Sequence, residues 1–161
     1  MMKNVIGLFG VCGNTTWRKG FMSEYDARGI SYFNPQVADW KPELAAIEAD
    51  HLVSDRIILF PVTGETYAFG SLAETGFSAL AAISALSGDR AVIMLVDKEC
   101  TDELKAENPV MAKESSRARA LVLAHLSKIK NENVFVVETM DEMLDVSIAL
   151  YEKMLENDDE F

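Results

Sequence analysis

Positive charge is in short supply in this chain: 15 Lys and Arg stand against 26 Asp and Glu, a formal net charge of −11. Polyphosphate and anionic lipid surfaces are bound by clustered Lys and Arg, so the balance argues against a nucleic acid polymer or a membrane as principal partner. Cysteine and histidine are equally sparse. Cys12 and Cys100 lie in no Cys-x-x-Cys pair, and the two histidines, His51 and His125, sit on predicted helices without matching ligands. Neither a zinc site nor a disulfide framework is expected, so no metal is assigned. No apolar run approaches the roughly 20 residues of a membrane helix. The apolar stretch after Met1-Met2-Lys3-Asn4 is too short, and too soon broken by glycine, for a signal peptide. The expected setting is the cytoplasm.

What remains is a globular composition, with 49% apolar residues and a mean hydropathy near zero (+0.06). A length of 161 residues suits one domain, taken here as residues 1–155, followed by an acidic tail at 156–161. Apolar runs recur along it: 5–9, 30–33, 57–62, 91–96 and 133–137 read as strands. Helical patterns separate them, at 17–28 after a cap at Thr15 or Thr16, at 43–54 behind Pro42, at 71–86, at 115–129, and after Thr139 or Asp141. Residues 98–112, with mixed charge and Pro109, read as a loop or a short helix plus loop. Continuous apolar strands alternating with helices give an α/β fold with a parallel sheet covered on both faces. The expected architecture is a three-layer doubly wound sheet of five strands in the order 2-1-3-4-5. Ligands of such sheets sit beyond the strand carboxyl ends at the switch between strands one and three. That places attention on segments 10–17, 34–40 and 63–74.

The first of these, from Gly10 to Lys19, offers glycines and small hydroxyl residues whose backbone N–H groups can face an anion or a sugar. It is neither a Walker loop nor a GxGxxG turn. Trp17 at its mouth can stack on a ring or serve the core, and Arg18 and Lys19 follow it. In Ser71-Leu72-Ala73-Glu74-Thr75-Gly76, the Ser-x-x-Glu spacing fits a capping box. The same glutamate, held in a first helical turn, would be kept ionised by the helix dipole and poised as a nucleophile. On the helix at 43–54, Leu44, Ile47 and Leu52 mark an inward stripe, and Glu48 lies on it. Glu48 is then either a border carboxylate reaching water or a desolvated acid suited to proton transfer. Asp97 reads as a strand-end turn.

Taken in order, Leu8-Phe9-Gly10, Trp17-Arg18, Phe33-Asn34-Pro35 with Asp39-Trp40, Glu48 before Asp55, and the 71–76 segment resemble the nucleoside 2-deoxyribosyltransferase family, in its divergent deoxyribosyltransferase-like branch. The resemblance covers about the first 80 residues. It implies a flavodoxin-like fold and cleavage of the N-glycosidic bond of 2′-deoxynucleosides or their monophosphates, through a covalent deoxyribosyl-glutamate, with the sugar passed to another base or to water. It casts Glu74 as nucleophile and Glu48 as the acid contacting sugar or base. Gly10, Trp17, Arg18, Asn34, Phe69 and Ser71 are the matching substrate-side positions. It further implies a nucleoside or nucleotide and a free nucleobase as partners, no cofactor, and a homo-oligomer. The chain departs from the family in having Leu8 where transferases often place a tyrosine, and Ala68 where they commonly carry an aspartate. A non-catalytic nucleoside- or nucleotide-binding module of the same fold is the alternative expectation.

Overall fold

The computed structural model describes residues 2–159. Five strands, β1 (Lys3–Leu8), β2 (Tyr32–Phe33), β3 (Asp55–Val62), β4 (Ala91–Val96) and β5 (Val134–Val136), form one sheet in the order β2-β1-β3-β4-β5. Every neighbouring pair is parallel, with Gly7 opposite both Phe33 and Ile58, and Leu59 opposite Ile93. The expected α/β order 2-1-3-4-5 is the order found, a flavodoxin-like arrangement.

The helices are α1 (Trp17–Arg28), α2 (Leu44–Ser54), α3 (Phe69–Ile83), α4 (Asp102–Glu107), α5 (Pro109–Leu126) and α6 (Met140–Asp159). Alternation along β3 divides the core. Ile57 and Leu59 pack with Phe21 and Tyr25 of α1 and with Met143 and Tyr151 of α6. Ile58 and Phe60 point the other way, to Ala79 and Ala82 of α3, Leu126 of α5 and Leu52 of α2. Strand side chains alternate between faces, so all eight residues of β3 are buried although no single face could take them. Inside the first layer, the Tyr25 hydroxyl and Ser147 Oγ share a hydrogen bond of 2.6 Å that ties α1 to α6.

Several boundaries differ from the sequence reading. Helix α3 starts at Phe69 and ends at Ile83, so Ser71 is its third residue and not its cap. Helix α5 starts at Pro109, six residues before Ser115. Pro109 occupies the first turn, where its missing N–H costs nothing, and Asn108 Oδ1 accepts from Met111 N at 3.1 Å. Thr16, one of the two expected caps, occupies the N-cap position of α1, but its side chain makes no cap bond; Thr15 Oγ1 donates to Val11 O. At α6, Thr139 is the residue that caps, accepting from Glu142 N at 3.1 Å. Ile47, expected on the inward stripe of α2, is half exposed. Residues 156–159, expected as a solvated tail, continue α6, and Asp158 pairs with Arg56 at 2.6 Å; Glu160 and Phe161 of that tail lie outside the described residues. Among the described residues no helix is long and apolar enough to cross a membrane.

Candidate active-site crevice

The switch point falls between β1 and β3, and two buried arginines shape the loops that leave it. Arg18 is 1% exposed. Its Nε donates to Leu8 O at 2.8 Å, Nη1 to Val11 O at 2.7 Å, and Nη2 to Phe9 O at 3.2 Å. The guanidinium therefore holds the turn after β1 from below by its carbonyls, and it presents no face to a ligand. Gly10 completes this turn. Its φ is +89°, and a Cβ there would stand 2.6 Å from Pro61 O, so only glycine lets the loop lie against β3. Arg119, also fully buried, does the same for the loop after β3, donating to the carbonyls of Val62, Thr63, Thr66 and Asp97 at 2.9–3.0 Å. Asp97 Oδ2 accepts from Gly64 N, the strand-end role expected of it.

Above these loops lies a crevice of about 790 Å³ walled by Cys12, Gly13, Asn14, Gln36, Trp40 and Glu48. Gln36 Nε2 donates to Gly13 O at 2.8 Å and so joins the 10–16 loop to the 34–43 loop. Trp40 Nε1 donates to Glu48 Oε1 at 2.7 Å, fixing one oxygen of that carboxylate and leaving the other free. Glu48 and Leu52 lie on the half-buried side of α2, as the sequence placed them. Cys12 is exposed as a residue, yet partial desolvation of its thiol against the loop pushes it up, an effect partly offset by Arg18.

Glu74 is half-buried in the second turn of α3; it does not line this crevice, but lies near enough to Glu48 and Cys12 for their charges to interact. Burial raises its carboxyl above the ordinary range, and the charge of Glu48 raises it further. The capping box with Ser71 does not form, because α3 begins two residues earlier behind Ala68, whose own φ is +57°. Glu74 is thereby released from backbone duty. The expected first-turn dipole stabilisation is also missing, since no acid occupies that turn, and the carboxyl moves up where the dipole would have moved it down. Ala68 is the one non-glycine residue with positive φ among the described residues, and it sits at the start of the helix that carries Glu74.

The remaining expected positions have structural employment. Trp17 packs edge-on against Phe21 (5.1 Å, 88°) and donates its Nε1 to Val11 O. Asn34 accepts from Gln36 N in a local turn, and Ser71 is buried within α3. Phe69 is 44% exposed and stands beside Tyr67, leaving a ring face available at the loop mouth. His51 is structural: its ring stacks on Phe33 at 3.6 Å and Nδ1 meets the buried Asp55 at 2.9 Å. Trp40, Gln36 and Cys12 are not among the site residues expected from the sequence. For Gln36 and Cys12 the signal is membership of segments that end at the switch point; Trp40 is also one of the residues that carry the resemblance, without a site role.

This is the class of site an open parallel sheet builds for a small ligand: a crevice at the strand carboxyl ends, lined by one carboxylate, Glu48, whose charge reaches a second, Glu74. No protein-family model matches the chain, and no curated protein matches it by sequence.

Proposed function

We propose that the chain transfers or hydrolyses the 2-deoxyribosyl group of deoxynucleosides or their monophosphates, with Glu74 as nucleophile. The observation that carries this reading is a glutamate freed from helix capping, half-buried in the second turn of the helix that follows β3, with its carboxyl raised by burial and by the charge of Glu48. Retaining glycosyl transfer uses such a pair, one carboxylate to bond with the anomeric carbon and one to move a proton. A Glu74 oxygen attacks C1′ while the C1′–N bond breaks, and the bonding electrons leave on the base nitrogen, which takes a proton. The acceptor nitrogen, or water, then attacks C1′, loses its proton, and the Glu74 carboxylate departs. In this reading Glu48, with one oxygen held by Trp40, gives and takes that proton. Phe69 and the indole of Trp40 (54% exposed) offer faces on which a base can stack.

The test is incubation with a deoxynucleoside and a second free base, followed by chromatography and intact-mass analysis. Exchange, or release of the base, together with a deoxyribosyl adduct mapping to Glu74, is the expected result. Unchanged turnover in Glu74→Gln would remove the nucleophile from the scheme. A second reading, a nucleoside- or nucleotide-binding module without turnover, is favoured by one particular observation: Leu8 is wholly buried in the core and Ala68 has no polar atom on its side chain, so neither can orient the nucleophile or the base. It requires thermal stabilisation by ligand with no product.

A further inference from the structure

The polar chemistry of the crevice is one-sided. Apart from Asn14, whose amide can give or accept, each side-chain donor on its wall is spent within the chain. Gln36 Nε2 donates to Gly13 O, Trp40 Nε1 to Glu48, and Cys12 Sγ to Gly10 O. What is left over accepts: the second oxygen of Glu48 and Oε1 of Gln36 have no partner among the described residues. Among those residues no Lys or Arg lines the crevice. Arg18 lies beneath it with its N–H groups used on the carbonyls of Leu8, Phe9 and Val11. Lys41, the residue after Trp40, pairs with Asp39 at 3.7 Å.

Trp40 adds a ring to this surface. The indole is more than half exposed, and its bond to Glu48 sets an aromatic ring and a carboxylate side by side on one wall. That pairing suits a flat, delocalised cation, which is drawn by the ring quadrupole and by the charge together. A neutral base gains from the ring alone. Leaving-group chemistry agrees. A neutral base must take a proton as its glycosidic bond breaks, and Glu48 is the one carboxyl on the wall able to give it. A base with a quaternised nitrogen leaves without any acid.

We propose that the substrate is a deoxynucleoside whose base carries a fixed positive charge, a pyridinium or an N-alkylated purine, seated between the Trp40 indole and the Glu48 carboxylate. The inference rests on Glu74 as the nucleophile. A Glu74 oxygen bonds to C1′ as the bond from C1′ to the cationic nitrogen breaks. The electron pair returns to that nitrogen, and the base departs neutral with no proton taken. Water then attacks C1′, its proton passes to Glu48, and the Glu74 carboxylate is released. Glu48 thus serves as a counter-charge in the first step and as a base in the second.

Binding is the first readout, because a cationic base also leaves more readily in plain water. Calorimetry on the full chain compares 1-methylnicotinamide with meta-toluamide, an uncharged ring of the same shape. The cation should bind at least ~10-fold tighter. Glu48→Gln and Trp40→Leu should each remove most of that ratio, while Trp40→Phe, which keeps an aromatic face, should retain much of it. Both positions lie outside the buried core, so the variants should keep the far-UV spectrum of the parent. Intact-mass analysis with nicotinamide 2′-deoxyriboside is the second readout. Nicotinamide should be released with a deoxyribosyl adduct on Glu74, and in Glu48→Gln the adduct should still form and persist longer. Equal affinity for the two rings, or no affinity for the cation at ~10 mM, would overturn the proposal even where neutral deoxynucleosides turn over through Glu74. A preference for the cation with no adduct would overturn it from the other side, by removing the nucleophile on which it rests.

Discussion

Glu74 carries two opposed demands. A nucleophile must be ionised, yet burial and Glu48 both favour its protonated form. With its folded pKa above the unfolded one, the native chain holds a proton that the unfolded chain has released. Stability is therefore lost as pH rises through the interval between the two values, and at neutral pH the charged side chain is a burden on the fold. Replacing it by the neutral amide removes that burden. Glu74→Gln should thus lower turnover by at least ~10³-fold, the scale on which loss of a nucleophile acts. The same substitution should raise the melting temperature by roughly 1–3 °C, a gain limited by partial solvent screening. A drop in both would point to a structural residue instead, and scanning calorimetry beside the exchange assay separates the outcomes. Arg119 makes the contrary case. Its guanidinium serves four carbonyls and Ser115 Oγ, and Arg119→Met would leave those buried acceptors empty. Urea unfolding should show a loss of about 3 kcal/mol or more, as expected for a broken buried network.

At the scale of elements, continuous apolar strands were the most legible. The 91–96 run coincides with β4, and β1 and β3 shift by a few residues, because burial on both faces leaves little else such runs can do. Helix starts were less so, for local reasons. At α3 the Ser-x-x-Glu spacing is a genuine cap signal that loses to the backbone: Ala68 takes a left-handed conformation and its carbonyl accepts from Leu72 N, which winds the helix two residues early. At α5 the start is written in the sequence as Asn108-Pro109, inside the 98–112 stretch whose mixed charge reads as a loop or a short helix plus loop. Asn108→Ala tests that cap and should cost about 1 kcal/mol, a fall of roughly 2–4 °C in melting temperature. The site shows the same division. Glu74 and Glu48 stand out by type and spacing, whereas the joining of Cys12, Gln36 and Trp40 around one crevice depends on loop paths set by Arg18 and by Gln36 itself. Arg18, a cation beside a glycine-rich turn, reads as a ligand residue until its carbonyl partners are seen.

The whole molecule combines these local effects into one pH dependence. Burial raises the carboxyl of Asp55, against the pull of His51, Lys3 and Arg90, and burial with Glu48 raises Glu74. Both groups make the folded chain the better proton binder, so each contributes stability that grows as pH falls back toward the ordinary carboxylate range. Asp158 is lowered, first by its bond from Asn4, and acts in the opposite sense, but it is exposed and its pairing with Arg56 is weakly felt. Net charge adds to the first direction, because protonation relieves the self-repulsion of a chain at −11. The melting temperature should accordingly rise by roughly 3–6 °C between pH 7.5 and about 5.5, the equivalent of one to two kcal/mol for this length. Salt divides the two causes. Self-repulsion is screened at high ionic strength while the desolvation of buried carboxyls is not. A slope that survives in part in 1 M salt, and flattens further in Glu74→Gln, assigns the remainder to the buried acids. A slope abolished by salt alone would assign it to net charge and remove Asp55 and Glu74 from the account.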